Sequence, residues 1–389
     1  MLRKNPNKLR RHILYLIGFI MATSVAILSY VQSNFLQDYI GIEFVSLFFV
    51  IGNLFTILTI SIFPKIIYKL GNYFTSKTVI ILYAASLIGL AAANGPISAV
   101  FALLLFIITS NLVWINIDIF LEEVTSDKDT GKIRTTFLTC ANLGWIIGPA
   151  ISAYLIEMGG YSLSFLSSAL LIVPLFLIIV IKKNNLKDRV KKTKQGARKS
   201  FEKLWKNKNL RGVFIAAVAL NIFFSAAVLY IPLYLHQSLG MTWTQLGWVF
   251  SFMLLPFILF EIPVGLTADK YLGEKEMMLI GLLILFSSLL LFYYIKTPLP
   301  IIWATALFFS RIGAAMVEAT RDTYFFKNVS SKDMGLINVF RMTTPIGYLI
   351  GALLGSLTLF FLPINSVFLV LAITLIPAFY SIALINDTK

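Results

Sequence analysis

Arg311, Glu318 and Asp322 stand at i, i+7 and i+11 within an otherwise apolar stretch. At 100° per residue they fall within about 20° of one helical face. A guanidinium at the head of such a row can hold a carboxylate or phosphate through its fork of N–H donors. A partly desolvated carboxyl such as Glu318, further along, suits a proton carrier working near neutrality. Asn111, Asp118 and Glu122 repeat the same spacing earlier in the chain.

The elements that must carry these rows are membrane spans. Of 389 residues, 58% are hydrophobic and only 13% charged. Runs of 18 or more mainly apolar residues recur along the chain, each able to cross roughly 30 Å of hydrocarbon as a helix. Twelve are predicted: 12–35, 42–64, 78–95, 98–121, 135–156, 162–181, 212–235, 243–264, 277–295, 299–320, 336–361 and 366–385. The fold class is therefore an all-α membrane protein. Arg311 falls roughly 17 Å from the outer end of its span, near the mid-membrane. Ionised groups at that depth are costly and read as functional, facing a cavity or another helix rather than lipid. Further polar residues within spans are Asn53, Asn111, Asn142 and Asn221, as cavity donors or helix bridges, and Tyr30, Gln32 and Asn34, lining the outer end of the first span. Glu261 is either a second proton-coupling carboxyl or the partner of Arg134 or Arg341 in an ion pair. The nearest acid to the first span, Asp38, is expected in the outer loop.

A net charge of +15 would suit nucleic acid if it were spread over one surface, but it alternates from loop to loop. Thirty of the 33 Lys and Arg residues fall on one side of the expected topology and only Lys296 on the other, leaving Arg311 and Arg341 within spans. Arg321 counts among the loop charges. This positive-inside pattern puts both termini in the cytoplasm of a multi-pass protein of the cell membrane, and nucleic acid is not expected as a partner. The first span lacks a small-x-small cleavage site and reads as a retained helix. The stretch 182–211 holds 13 basic residues and marks a boundary between residues 1–181 and 212–389. Its charges fix topology and meet anionic headgroups. The single cysteine, Cys140, allows no intramolecular disulfide. Neither a metal-type His/Cys cluster, a phosphate-cradling loop nor a nucleophile motif is present, so no cofactor and no enzymatic activity are expected.

The two halves share a repeat. IDIFLEEVTSDKDTGKIRTTFLT (117–139) and RDTYFFKNVSSKDMGLINVFRMT (321–343) match at seven positions at an offset of 204, including Asp118 with Asp322 and Gly131 with Gly335. The stretch EIPVGLTADKYLGEK, between two six-span halves, resembles the loop signature of the major facilitator superfamily of secondary transporters. Its glycine, aspartate, basic residue and second glycine are Gly265, Asp269, Lys270 and Gly273, with one extra residue between Asp269 and Gly273. The counterpart PKIIYKLGNYFTSK keeps Lys69 and Gly71, with Tyr68 where the aspartate would be. NLGWIIGPAISA is similar to the glycine-proline motif that the family's antiporters carry in the fifth span, through Gly144, Gly148 and Pro149, with Ser152 and Ala153 in place of its closing glycines.

The resemblance implies two pseudo-symmetric six-helix bundles and transport by alternating access. It makes Asp269 an anionic latch facing the positive end of a helix from the other half, near Gly131 to Thr135. Asp118 and Asp322 become gating residues joined to that latch, with Arg134 and Arg341 nearby. The four-residue spacing of Gly144 with Gly148, and of Gly347, Gly351 and Gly355, gives small faces that would pack on the opposite half and let it rock. Pro149, Pro256, Pro263 and Pro345 are expected to kink their helices. The leading expectation is proton-coupled efflux of a small organic solute by a monomer in membrane lipid. Proton-coupled uptake of an anionic metabolite or sugar is the alternative, motivated by Arg311. A lipid flippase or a non-transporting protein on the same scaffold remains a third possibility.

Overall fold

The computed structural model describes residues 6–122, 130–183, 186, 197–329 and 334–386. Among them, eleven helices are long and apolar enough to cross a membrane. These are α1 (Leu9–Ile40), α2 (Ile42–Leu70), α3 (Asn72–Ala91), α4 (Pro96–Leu121), a 46-residue stretch (Thr136–Ile181), α7 (Lys208–Ser238), α8 (Trp243–Gly265), α9 (Glu274–Tyr294), α10 (Pro300–Asn328), α11 (Gly335–Leu359) and α12 (Ser366–Ala383). Gly159 and Gly160 interrupt the long stretch, the latter at φ 70° and ψ −171°, a conformation open to glycine and strained for other residues. The stretch is therefore two helices, α5 (136–158) and α6 (161–181), and the expected twelve are present. Asp38 rides on the last turn of the helix Gln32–Ile40 instead of lying in a loop. Helical turns break at Leu254 and Met342, each shortly before a proline, Pro256 and Pro345, because proline removes an N–H and crowds the preceding turn.

Lone apolar side chains cover the outward surfaces: Ile97, Phe101, Leu170 and Ile181 are each at least two-thirds exposed. In water that would be a liability; in hydrocarbon it is the solvated state, with backbone groups satisfied inside each helix. The chain divides into two compact units, residues 1–40 with 58–192, and 41–57 with 193–389.

In the first unit α1 lies along α5. A Cβ at Gly144 would stand 2.7 Å from the Phe19 carbonyl oxygen and 2.8 Å from the Thr23 nitrogen, and one at Gly148 would overlap Ala26. Ser24 of α1, Tyr83 of α3 and Ser168 of α6 form a buried knot, with Ser24 Oγ 3.0 Å from the Tyr83 hydroxyl and 2.7 Å from Ser168 Oγ. Hydrogen bonds of this kind contribute about 0.6 kcal/mol each between membrane helices.

In the second unit α7 lies along α11 in the same way. A Cβ at Gly347 would stand 2.9 Å from the Val218 carbonyl oxygen, and one at Gly351 would overlap Ser225. Gly144 and Gly148 precede Gly347 and Gly351 by 203 residues, while Phe19 and Ala26 precede Val218 and Ser225 by 199. The two rails are copies of one packing arrangement. They correct the expectation for Gly144 and Gly148, since each small face meets a helix of its own unit. Close backbone approach within a unit is what the missing side chains permit. Two π-helical turns, Ala226–Tyr230 and Tyr234–Ser238, widen α7. There the Tyr230 hydroxyl donates to Ser46 Oγ at 3.0 Å, and it occupies the space that a side chain at Gly355 would need.

A separate ten-residue helix, Ala197–Lys206, lies within the expected linker. Asn207 follows it and caps α7, its side-chain oxygen accepting from the nitrogens of Asn209 and Leu210 at 3.0 and 3.2 Å.

Candidate functional site

The polar face of α10 divides into two parts. Arg311 is 1% exposed. Its guanidinium lies 5.1 Å from the ring centre of Phe223 and 5.7 Å from that of Phe224, both on α7. Its Nη2 donates to Met253 Sδ on α8 at 3.7 Å. Aromatic faces attract a guanidinium through their quadrupole, more strongly when water is excluded, and so lower the cost of holding this charge in the span.

About 15 Å further along the helix axis lies Arg321, also buried, and it organises the second part. Its Nη2 stands 3.6 Å from Glu318 Oε1 and its Nε 3.3 Å from Asp322 Oδ1. Its Nη1 donates to the Ala217 carbonyl of α7 at 3.4 Å, and its guanidinium lies 5.9 Å from the Phe340 ring of α11. Phe340 in turn stacks on Phe325 at 4.0 Å. Glu318 and Asp322 thus share one arginine ten residues from Arg311. Arg321 is the residue that sequence reasoning missed, having been counted among the loop charges. The available signal was the uninterrupted helical stretch to Asn328, which puts Arg321 one turn beyond Glu318.

Beneath this face runs the turn joining α8 to α9. Val264, Ala268, Met277 and Met316 form a buried cluster there, with Phe260 and Ile312 packed against it. Residues Ala268–Leu272 make a π-helical turn in which the Gly273 nitrogen donates to the Ala268 carbonyl at 2.9 Å. That closure is one residue longer than an α turn, and it accommodates the extra residue between Asp269 and Gly273. Gly273 adopts φ 86° and ψ 159°, a region essentially reserved for glycine. Gly265, in contrast, meets nothing among the described residues where a Cβ would go, and its φ is not positive. Glu274, 1% exposed at the first position of α9, is ion-paired with Lys327 near the end of α10. The helix N-terminus favours its negative charge. The signature reading stopped one residue short of it.

The remaining candidates are distributed. Nδ2 of Asn53, Asn111 and Asn221 donates to the carbonyl four residues back on its own helix, Phe49, Ile107 and Ala217, at 2.7, 2.9 and 2.8 Å. Tyr30, Gln32 and Asn34 are buried in the first unit, Tyr30 edge-on to Trp145 at 6.5 Å. Asn142, Asp118, Glu261 and Arg341 are half-buried, and Pro149 is buried beside Gly148. The side chains of Glu122, Arg134, Asp269 and Lys270 lie outside the described residues, as do positions 123–129 and 330–333 of the repeat. Among the described residues no group of His, Cys, Asp and Glu could hold a metal ion.

The profile of the Major Facilitator Superfamily matches residues 14–247 and 234–388. The chain belongs to this superfamily. Three solved structures show the same fold. A point mutant of the nucleoside transporter NupG is 15% identical with a TM-score of 0.74, covering 96% of this chain and 99% of that one. A POT family transporter in complex with 5-aminolevulinic acid is 14% identical with a TM-score of 0.77, covering 95% and 94%. One in complex with a thioalcohol-conjugated peptide is 13% identical with a TM-score of 0.76, again covering 95% and 94%. No curated protein matches the sequence. As a member of the Major Facilitator Superfamily the protein is a multi-pass secondary transporter, not an enzyme.

Proposed function

We propose that this transporter takes up a small anionic organic solute together with protons, by alternating access, with both termini in the cytoplasm. The observation that carries the reading is Arg311: a guanidinium 1% exposed, walled by Phe223, Phe224 and Met253, halfway along a membrane-spanning helix. Such a charge is expensive at that depth. A substrate carboxylate or phosphate would bind this guanidinium in the loaded state, since its planar fork of donors suits either group. Glu318 is the proton site in this scheme. Arg321 positions it, holding its carboxylate when ionised and releasing it when protonated.

The efflux reading rested on Gly144, Gly148 and Pro149 together with the 14% aromatic content, which lipid-facing side chains account for equally well. The glycines' packing on α1 recurs at Gly347 and Gly351 on α7, where the antiport motif has no counterpart, so close packing accounts for both. Among the structurally similar transporters named above, one is in complex with 5-aminolevulinic acid, a small solute that carries a carboxyl group.

Purified protein screened by thermal shift against carboxylates, sugar phosphates, nucleosides and short peptides would identify a ligand. Proteoliposomes with an imposed pH gradient would then test the mechanism. Arg311→Ala should weaken uptake of the anion by at least about 30-fold, the loss expected when one member of a buried charge pair is removed. Glu318→Gln should abolish the response to the gradient while leaving exchange of labelled for unlabelled solute intact. Unchanged uptake by Arg311→Ala, or stabilisation by neutral solutes alone, would overturn the proposal.

A further inference from the structure

We infer that the helix Ala197–Lys206 is a binding site for anionic phospholipid headgroups, separate from the path of the transported solute. Its sequence, ARKSFEKLWK, is read in three faces. Ser200 and Leu204, four apart, are 4% and 0% exposed. They anchor a helix that packs on α7 and on the helix Met334–Arg341 at the start of α11. Phe201 and Trp205, also four apart, remain 41% and 44% exposed. Their rings stack at 5.6 Å and 16°, and each meets Phe214 of α7 nearly edge-on, at 6.0 and 6.4 Å. Lys199, Lys203 and Lys206 form the third face, within about 60° of one another and opposite the aromatic pair, with the exposed Glu202 at its edge. All three are exposed, as is Lys208 at the start of α7.

Depth selects the ligand. Phe214 lies about 9 Å along α7 from its first residue, already inside the apolar span. The aromatic pair resting on it therefore sits where headgroups meet acyl chains, the level at which tryptophan is favoured in membrane proteins. An aromatic face backed by a lysine face is the pattern of a helix lying in the interface plane. Lysine stems run along apolar surface while their ammonium groups reach phosphate. Each lysine near an anionic leaflet strengthens the attraction about fivefold. A soluble phosphate would satisfy the lysines and leave Phe201 and Trp205 half in water, whereas a phospholipid satisfies both faces. The leaflet concerned is the one that the charge pattern of the loops assigns to the cytoplasm.

The full-length protein in detergent, titrated with brominated phosphatidylglycerol or brominated phosphatidylcholine, tests this through quenching of tryptophan fluorescence. The phosphatidylglycerol should quench the component that Trp205→Phe removes, at a concentration at least about tenfold below that needed of the choline lipid. Reversing Lys199, Lys203 and Lys206 together to Glu should weaken that binding about a hundredfold, while changing the same three to Arg should preserve it. Folding of the Glu variant is checked by its unfolding temperature in lipid-free detergent, and the Arg variant, which keeps the charges, carries the test if that temperature falls. Equal quenching of Trp205 by the two lipids, wild-type binding by the Glu variant, or displacement of the lipid by millimolar inorganic phosphate would each overturn the assignment.

Discussion

Gly71 (φ 85°, ψ 155°) leads into α3 in the first unit, and Gly273 (φ 86°, ψ 159°) leads into α9 in the second. The residue that follows is buried in both, Asn72 at 0% and Glu274 at 1% exposure. What holds it differs. Asn72 exchanges amide hydrogen bonds with Asn116 of α4, accepting from its Nδ2 at 2.7 Å and donating to its carbonyl at 3.1 Å. Glu274 is held by Lys327 of α10. The turns before them also differ, since Gly71 closes on the Ile67 carbonyl four residues back and Gly273 on Ala268 five back. The shared element is thus the glycine conformation and a buried polar tie between consecutive helices. A neutral tie keeps its strength across protonation states, whereas an ionic one can respond to charge nearby. Only the second unit places its tie beneath the Arg321, Glu318 and Asp322 cluster.

Removing Lys327 should sharpen the contrast most. Lys327→Met removes the ion-pair partner of a buried carboxylate and should cost about 2 to 3 kcal/mol, read by thermal unfolding in detergent. The double change Glu274→Leu with Lys327→Met should recover much of that, since a buried ion pair replaced by apolar groups is often near neutral. Gly71→Ala and Gly273→Ala should each cost about 2 kcal/mol, because both force a Cβ into the same glycine-only region. A clear inequality between them would break the claim that the two glycines serve one shared conformation. Asn116→Leu, which removes one side of the neutral tie, should cost about 1 kcal/mol. Gly265→Ala should be neutral or slightly stabilising, by up to about 1 kcal/mol, as alanine is the better helix former and no described residue stands in the way. A loss as large as that of Gly273→Ala would show that the first glycine of the signature has a role that its packing does not reveal.

The twelve spans could be read directly because apolar length is set by membrane thickness, and the chain supplies it one segment at a time. The break inside Thr136–Ile181 was legible too, as the gap between the spans 135–156 and 162–181, where the structure has Gly159 and Gly160. Much of the site was not. Arg311, Glu318 and Asp322 share a face by helical arithmetic, yet the aromatic walls of Arg311 come from Phe223 and Phe224, nearly ninety residues away. Arg321 looked like a loop charge because spans were ended where polar residues thicken, whereas the helix runs on to Asn328. The glycine rails were visible as spacing, but their partners were assigned to the wrong unit. A four-residue period states that a face is small and says nothing of which helix will use it.

By itself, then, the amino-acid order determined the class of molecule, the number of spans, the expected sidedness through the distribution of Lys and Arg, and the duplication seen at Asp118 and Asp322. Each follows from local composition or from one-dimensional periodicity. Only the tertiary structure decided that Arg311 is walled by Phe223 and Phe224, that Arg321 meets the Ala217 carbonyl and the Phe340 ring, and that Glu274 finds Lys327. The physical reason is that the stability of a buried charge depends on which neighbours replace its water, and those neighbours are brought in by helices distant in the chain.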